Sequence, residues 1–309
     1  MTPELSIIIP TYKRYDELTA CIKSVLIQNG NYELIVISDG FDKKTDNIVR
    51  QIRLSYKHKS NKLIYLKQKN RGPASARNNG LHHVQSEIIT FLDDDCVVCE
   101  NWVDNILSAH KHHPDVLAIA GRLLAYDNGI ISEFNQSLEA GTVTKNNTVF
   151  CPSLINNNSY KKSVFKIVGT FDQTFRYAAG EDVEFNYRLY SHNIKTLFVK
   201  NILIKHRYKT KLSQLLSQQF NFGKERLKIM RTTNDYPFDK SNKVVYILKR
   251  LATPFADPWL RLICAFKLKK KYKLLYLPLG YLQQIAYWSG FMCAVFRDIF
   301  KNNTQSYLQ

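Results

Sequence analysis

The chain is short of acid. Against 44 Lys and Arg it carries 26 Asp and Glu, a formal net charge of +18 over 309 residues. An imbalance of that size points to an anionic partner: nucleic acid, acidic lipid or a phosphorylated substrate. The shortage is sharpest between Lys240 and Lys273, a lysine- and arginine-rich stretch in which Asp257 is the lone acid. Cysteine is also sparse, at 6 residues. Cys96 and Cys99 spell C-x-x-C, but no second pair lies at zinc-ribbon spacing, so neither a ribbon nor a redox pair is read there. The opening "MTPELSIIIPTYKRYDE" does not read as a signal peptide, since its apolar run ends at Pro10. The expectation is a cytoplasmic chain with reduced cysteines. No internal repeat or low-complexity tract is present. Uninterrupted apolar runs are missing too: Leu274 to Phe296 is long enough to cross a bilayer, yet holds Pro278, Gln283, Gln284 and Ser289.

What is present is an alternation of strand-like and helix-like segments. "LSIIIPTY", "YELIVISDG", "KLIYLKQ" and "EIITFL" are short apolar runs of the kind buried on both faces of a sheet. Between them, Leu18, Cys21, Ile22, Val25 and Leu26 recur at helical spacing after Asp16, an N-cap candidate. "KTDNIVRQIRLSY" is a second helix, and "GPASARNNGLHHV" a third, started by Gly72 and Pro73. This order predicts an α/β domain with a mostly parallel sheet flanked by helices. Ligands of such sheets gather at the carboxyl ends of the strands. Thr11 and Tyr12, Ser38 and Asp39, and Asp93 to Asp95 then share one rim. Residues 121–175 read as irregular loops. "GEDVEFNYRLYSHNIK" reads as a helix with Val183, Tyr187 and Leu189 or Tyr190 towards a core, and "TLFVKNILIKHRY" as one or two strands. His110, His112 and His113 look like an exposed helix end, without chemistry.

These segments resemble the family 2 glycosyltransferases of the GT-A fold, over roughly residues 4 to 230. "SIIIPTYKR" is similar to the family's first strand, "IVISDG" to its second, and "NRGPASARNNGL" to its N-x-G-x-x-x-A-R-N-x-G segment. "FLDDDCVVCENWV" resembles the D-x-D strand end, and "NNSYKKSVFKIVGTFDQTF" with "GEDVEFNYRL" the acceptor-side loop and the helix of the catalytic base. The family often has two acids at the second strand, where this chain has Ser38 before Asp39. The resemblance implies a nucleotide-diphospho-sugar transferase that inverts the anomeric centre. It implies Pro10, Thr11, Tyr12, Arg14, Asp39, Arg77, Asn78, Asp93 and Asp94 as donor-binding residues. Asp93 and Asp95 are implied as metal residues, joined by His206 as some relatives use, and Asp182 as the base beside Glu181.

Chemistry makes the same demands. Charge builds on the leaving diphosphate, and Mn²⁺ or Mg²⁺ bound by hard oxygen ligands stabilises it. On an extended segment Asp93 and Asp95 share a face and Asp94 points away. Asp39 could accept from the N3–H of a uracil or thymine ring, with a UDP-sugar favoured, or could simply open the Asp-Gly turn. Lys13 and Arg14 could meet phosphates or begin a solvated helix face. Arg77 and Asn78 could position the donor, or Arg77 could pair with a local acid. Glu181 and Asp182 could tune a base or merely complement a helix dipole.

The expected organisation is 1–234 for the catalytic domain, with 1–120 the nucleotide half and 121–234 the acceptor half, and 235–309 for a helical basic and aromatic extension. That extension reads as lying on an anionic membrane surface. Packing on the catalytic domain or on a second subunit of a homo-oligomer, and a true span, are the alternatives. No nucleic-acid motif accompanies it. The function expected is metal-dependent transfer from a UDP-sugar to a glycan or lipid-linked hydroxyl in polysaccharide or glycoconjugate synthesis, on the cytoplasmic face of the membrane. The alternatives are an inactive membrane-associated binding module, or a sugar-nucleotide pyrophosphorylase, whose glycine-rich basic loop "IPTYKRYDE" lacks.

Overall fold

The computed structural model describes residues 2–56, 62–137, 148–149, 155–175, 180–232, 255–263, 265–266 and 272–306. The chain forms two compact units, Met1–Tyr126 with Thr142–Arg207, and Asp127–Gly141 with Tyr208–Gln309. The expected boundary at 234/235 and the lysines at 267–271 lie outside the described residues.

In the first unit β1 (Leu5–Thr11), β2 (Tyr32–Ser38), β3 (Lys62–Lys67) and β4 (Ile88–Phe91) pair in parallel, with α1 (Tyr15–Leu26), α2 (Lys43–Ser55) and α3 (Pro73–Leu81) between them. Every residue of β1 and β2 is buried, as the apolar runs predict. Alternation divides their side chains between two cores. Ile7, Ile9, Leu34 and Val36 pack with α1 and α2, and Ile8, Ile35 and Ile37 with Ala74 and Ala76 of α3.

Past β4 the sheet becomes mixed. It continues through β8 (Asn158–Lys161), β6 (Ala118–Ala125), β9 (Thr196–His206) and β5 (Cys96–Val98) in the order β3-β2-β1-β4-β8-β6-β9-β5, with β7 (Thr148–Val149) beside β9. Between these strands lie α4 (Trp102–His112), α5 (Ile130–Ser137), α6 (Ser163–Ile167) and α7 (Glu181–Ser191).

Four readings need correction. Asp16 does not cap α1: the helix begins at Tyr15, and Asp16 lies in its first turn, where it complements the dipole. Residues 121–175 are not all loop, since β8 is a buried strand between β4 and β6. Helix α7 buries Phe185 and Leu189, whereas Tyr190 is exposed and Val183 and Tyr187 only partly covered. The face is rotated because Glu181 and Glu184 are themselves buried, each against an arginine. His110 is not at an exposed end: it is buried against Ser159, and burial lowers its pKa to about 4.

The second unit contains α5, α8 (Leu212–Thr232), α9 (residues 255–263) and α10 (Tyr276–Ser306). Gly223 of α8 and Gly290 of α10 let the backbones touch: a Cβ on Gly223 would lie 1.9 Å from Tyr287 O, and one on Gly290 2.0 Å from Phe220 O. Arg231 grips Asp298 with two hydrogen bonds, and Gln283 donates to Gln219 at 3.0 Å. Phe134, Leu215, Tyr276 and Leu279 form this unit's own core.

Candidate active site

The parallel register places the carboxyl ends of β1, β2 and β4 on one rim. Thr11 stands opposite Ser38, and Asp39 N donates to Thr11 O at 2.8 Å. Pro10 is buried inside β1 opposite Ile37, and Tyr12 is 48% exposed at the rim.

Beyond β4 the backbone does not stay extended. It turns at Asp94 and Asp95, with Cys96 N donating to Asp93 O at 3.0 Å. Asp93 and Asp95 therefore do not alternate as on a strand, and they find different partners. Asp93 accepts from Arg77 Nη2 at 2.8 Å. Asp94 accepts from Thr11 Oγ1 at 2.7 Å and from Arg14 Nη1 at 3.1 Å. Asp95 accepts from Arg14 through Oδ2, while its Oδ1 lies 3.2 Å from His206 Nε2. Burial raises the Asp94 carboxyl, helped by the charge of Asp95. Burial also raises Asp95, but His206 and Arg14 outweigh it and hold that carboxyl well below the usual range.

Arg77 unites the two ends of the site. It is 4% exposed on α3 and donates Nη2 to Asp93 and Nη1 to Glu181 Oε1 at 2.9 Å, across 104 residues of sequence. One planar fork thus fixes the aspartate turn against the start of α7. Glu181 is buried, which raises its pKa, although Arg77 opposes the rise. Asp182, half-buried beside it, is pushed up to about 7 by burial and by the charge of Glu181. A carboxylate tuned near neutrality is suited to accept a proton.

Asn78 points elsewhere: it donates to Phe171 O at 2.8 Å and accepts from Phe171 N at 2.9 Å, pinning α3 to the segment before α7. Arg188 holds that segment from the other side through Val168 O, Thr170 O and Glu184. Asp39 accepts from Gln68 Nε2 at 2.8 Å, Arg71 N at 2.9 Å and Gly72 N at 2.8 Å. It thereby organises the loop into α3, whose cap Gly72 sits at φ 92, a conformation costly for residues with a Cβ.

Asp95, Cys96 and His206 bring one donor atom each within 4.8 Å of one another. An oxygen, a sulfur and an imidazole nitrogen converging in this way fit a divalent cation. Sequence reasoning missed Gln68, which supports Asp39, and treated Cys96 only as half of a C-x-x-C. No short-range signal marks either: Gln68 reaches Asp39 across 29 residues, and Cys96 meets His206 only where β5 pairs with β9. Cys96 and Cys99 are both free thiols, and the hydrogen-bond contacts of the Cys96 sulfur are Asp95 and Asn156.

A helix-flanked, mostly parallel sheet carrying acids on its carboxyl rim is the GT-A architecture. The mannosyltransferase PcManGT from Pyrobaculum calidifontis, solved with GDP-Man and Mn²⁺, shares the fold at TM-score 0.63 and 16% identity, over 96% of this chain and 88% of that one. TarS of S. aureus shares it at TM-score 0.51 and 15% identity, over 94% of this chain and 55% of that one. Residues 6–194 match glycosyl transferase family 2, and the chain belongs to that family. It is a glycosyltransferase. Among curated relatives, the glycosyltransferase AglE of Haloferax volcanii is 24% identical over 74% of each chain. The glucosyl-dolichyl phosphate glucuronosyltransferase of the same organism is 21% identical over 82% of this chain and 88% of its own. The minor teichoic acid biosynthesis protein GgaB of Bacillus subtilis is 34% identical over 38% of this chain, a match that spans only 13% of GgaB.

Proposed function

We propose that the chain transfers a sugar, with inversion, from a nucleotide-diphosphate donor to a hydroxyl of a glycan or lipid-linked acceptor. The observation that carries this reading is the Arg77 fork, which ties the Asp93 turn to the helix start bearing Asp182. In this reading Asp182 accepts the proton of the attacking hydroxyl as the sugar's bond to the diphosphate breaks. Glu181, held by Arg77, keeps the base in place and raises its basicity. Thr11, Tyr12, Arg14 and Asp39 line the donor's side. Asp39 Oδ2 accepts a hydrogen bond from Gly72 N, and a carboxylate oxygen has a second lone pair. That pair suits a pyrimidine N3–H, so a UDP-sugar is favoured.

Asp95 and His206, with Asp93 nearby, would hold Mn²⁺ or Mg²⁺. Such an ion supplies charge neutralisation to the departing diphosphate. The names of the glucuronosyltransferase and of GgaB, glucosyl-dolichyl phosphate in one and teichoic acid biosynthesis in the other, support an acceptor in glycoconjugate synthesis. An anionic membrane surface is the partner we assign to the second unit. Phe255, Trp259, Leu260, Ile263 and Phe266 are exposed on and just after α9, and "KLKKK" follows in the sequence. No helix among the described residues is long and apolar enough to cross a membrane.

A thermal-shift panel of nucleoside diphosphates with and without Mn²⁺ tests the site, because binding to the native state raises the melting temperature. UDP with Mn²⁺ is expected to stabilise the protein, and Asp95→Ala to abolish the shift. A shift that is equally large without metal would overturn the reading.

A further inference from the structure

Cys96 is the first residue of β5, and antiparallel pairing sets it directly opposite His206 on β9. Asp95 precedes it in the turn. The two oxygens of Asp95 have different neighbours: Oδ2 meets Arg14, while Oδ1 lies 3.2 Å from His206 Nε2 and 3.9 Å from Cys96 Sγ. A tetrahedral ion with bonds of about 2.0 Å to O and N and about 2.3 Å to S would set these edges at about 3.3 and about 3.5 Å. The oxygen–nitrogen edge matches that spacing and the oxygen–sulfur edge is longer, with all three donor atoms within 4.8 Å of one another.

A further polar group is aimed at the same place. Asn156, 1% exposed, directs Nδ2 at the Cys96 sulfur from 3.8 Å, and its buried Oδ1 has no hydrogen-bond partner among the described residues. An N–H aimed at the sulfur favours the thiolate form that a metal binds.

We propose that Cys96 joins Asp95 and His206 as a third ligand when a thiophilic divalent cation such as Zn²⁺ or Co²⁺ occupies the position read above for Mn²⁺ or Mg²⁺. The proposal rests on the reading of Asp95 and His206 as the metal residues, and adds the sulfur. Thiolate is a soft donor that Mg²⁺ and Mn²⁺ accept poorly, and imidazole suits Zn²⁺ equally well. On ligation the thiol releases its proton to solvent and the sulfur lone pair forms the metal bond; nothing is oxidised or reduced.

Titration of the full chain with Co²⁺, followed by absorption, reads the sulfur directly. The expected result is a thiolate-to-cobalt charge-transfer band in the near ultraviolet at one equivalent, bleached by Zn²⁺. The band should vanish in Cys96→Ser and in His206→Ala. Zn²⁺ affinity should fall at least tenfold in Cys96→Ser, while Mn²⁺ affinity stays unchanged. Melting of the metal-free variants confirms that they fold, and if Cys96→Ser does not, His206→Ala and the wild-type spectrum decide. Co²⁺ binding that Asp95→Ala abolishes but that shows no such band, or a band that persists in both variants, removes Cys96 from the site and leaves the metal reading intact. Absence of all divalent-ion binding overturns both.

Discussion

Asp182 carries the most exposed chemical claim at the scale of single residues. Burial and Glu181 raise its carboxyl to about 7, so kcat/KM of the free enzyme should rise with pH through that region and level off above it. If Asp182 is the base proposed above, Asp182→Asn should lower kcat by about 10²- to 10⁴-fold. Stability should move the opposite way. A carboxyl raised in the folded state contributes stability that is fully present below its unfolded pKa, and loses it as pH rises through the folded value. Asp182→Asn should therefore raise the melting temperature more at pH 8 than at pH 5. Equal shifts at both values would show that the carboxyl is not held protonated by the fold. "GED" leaves the outcome open, because adjacent acids at a helix start can tune one another or merely complement the dipole.

At the scale of elements, legibility followed how a segment is buried. β1 and β2 could be read because each is apolar throughout and covered on both faces. β8, "NSYK", could not, because its polar atoms are satisfied from elsewhere: Thr90 donates to Asn158 O at 3.0 Å and Ser159 meets His110 at 2.9 Å. α7 was read with Leu189 rightly inward but with Val183 and Tyr187 beside it, because its buried stripe includes two glutamates whose arginine partners come from α3 and from its own last turn. The crossing of α8 and α10 is similarly tertiary. A side chain at Gly290 would collide with the backbone of Phe220, so Gly290→Val is expected to destabilise the second unit by about 1–3 kcal/mol. Denaturant unfolding checks this: an unchanged midpoint would mean that the helices do not approach so closely.

For the whole molecule, the charge of +18 and the exposed aromatics belong to the same question. If the second unit lies on anionic lipid, the chain should float with acidic vesicles, detach as salt rises, and ignore neutral ones. Replacing Phe255 and Trp259 together by Ser should weaken flotation without changing donor binding. Flotation that is insensitive to salt, lipid charge and these residues would remove the membrane from the account.

The sequence by itself determined the family, the parallel half of the sheet and the rim on which the acids gather, since apolar runs and strand-end residues are local properties. Tertiary structure decided the partners: the turn that separates Asp93 from Asp95, the fork of Arg77, the rotation of α7, and the meeting of Cys96 with His206. Those outcomes depend on which buried charges can be paired. Pairing across 104 residues, as between Arg77 and Glu181, is fixed only when the sheet brings its distant strands together.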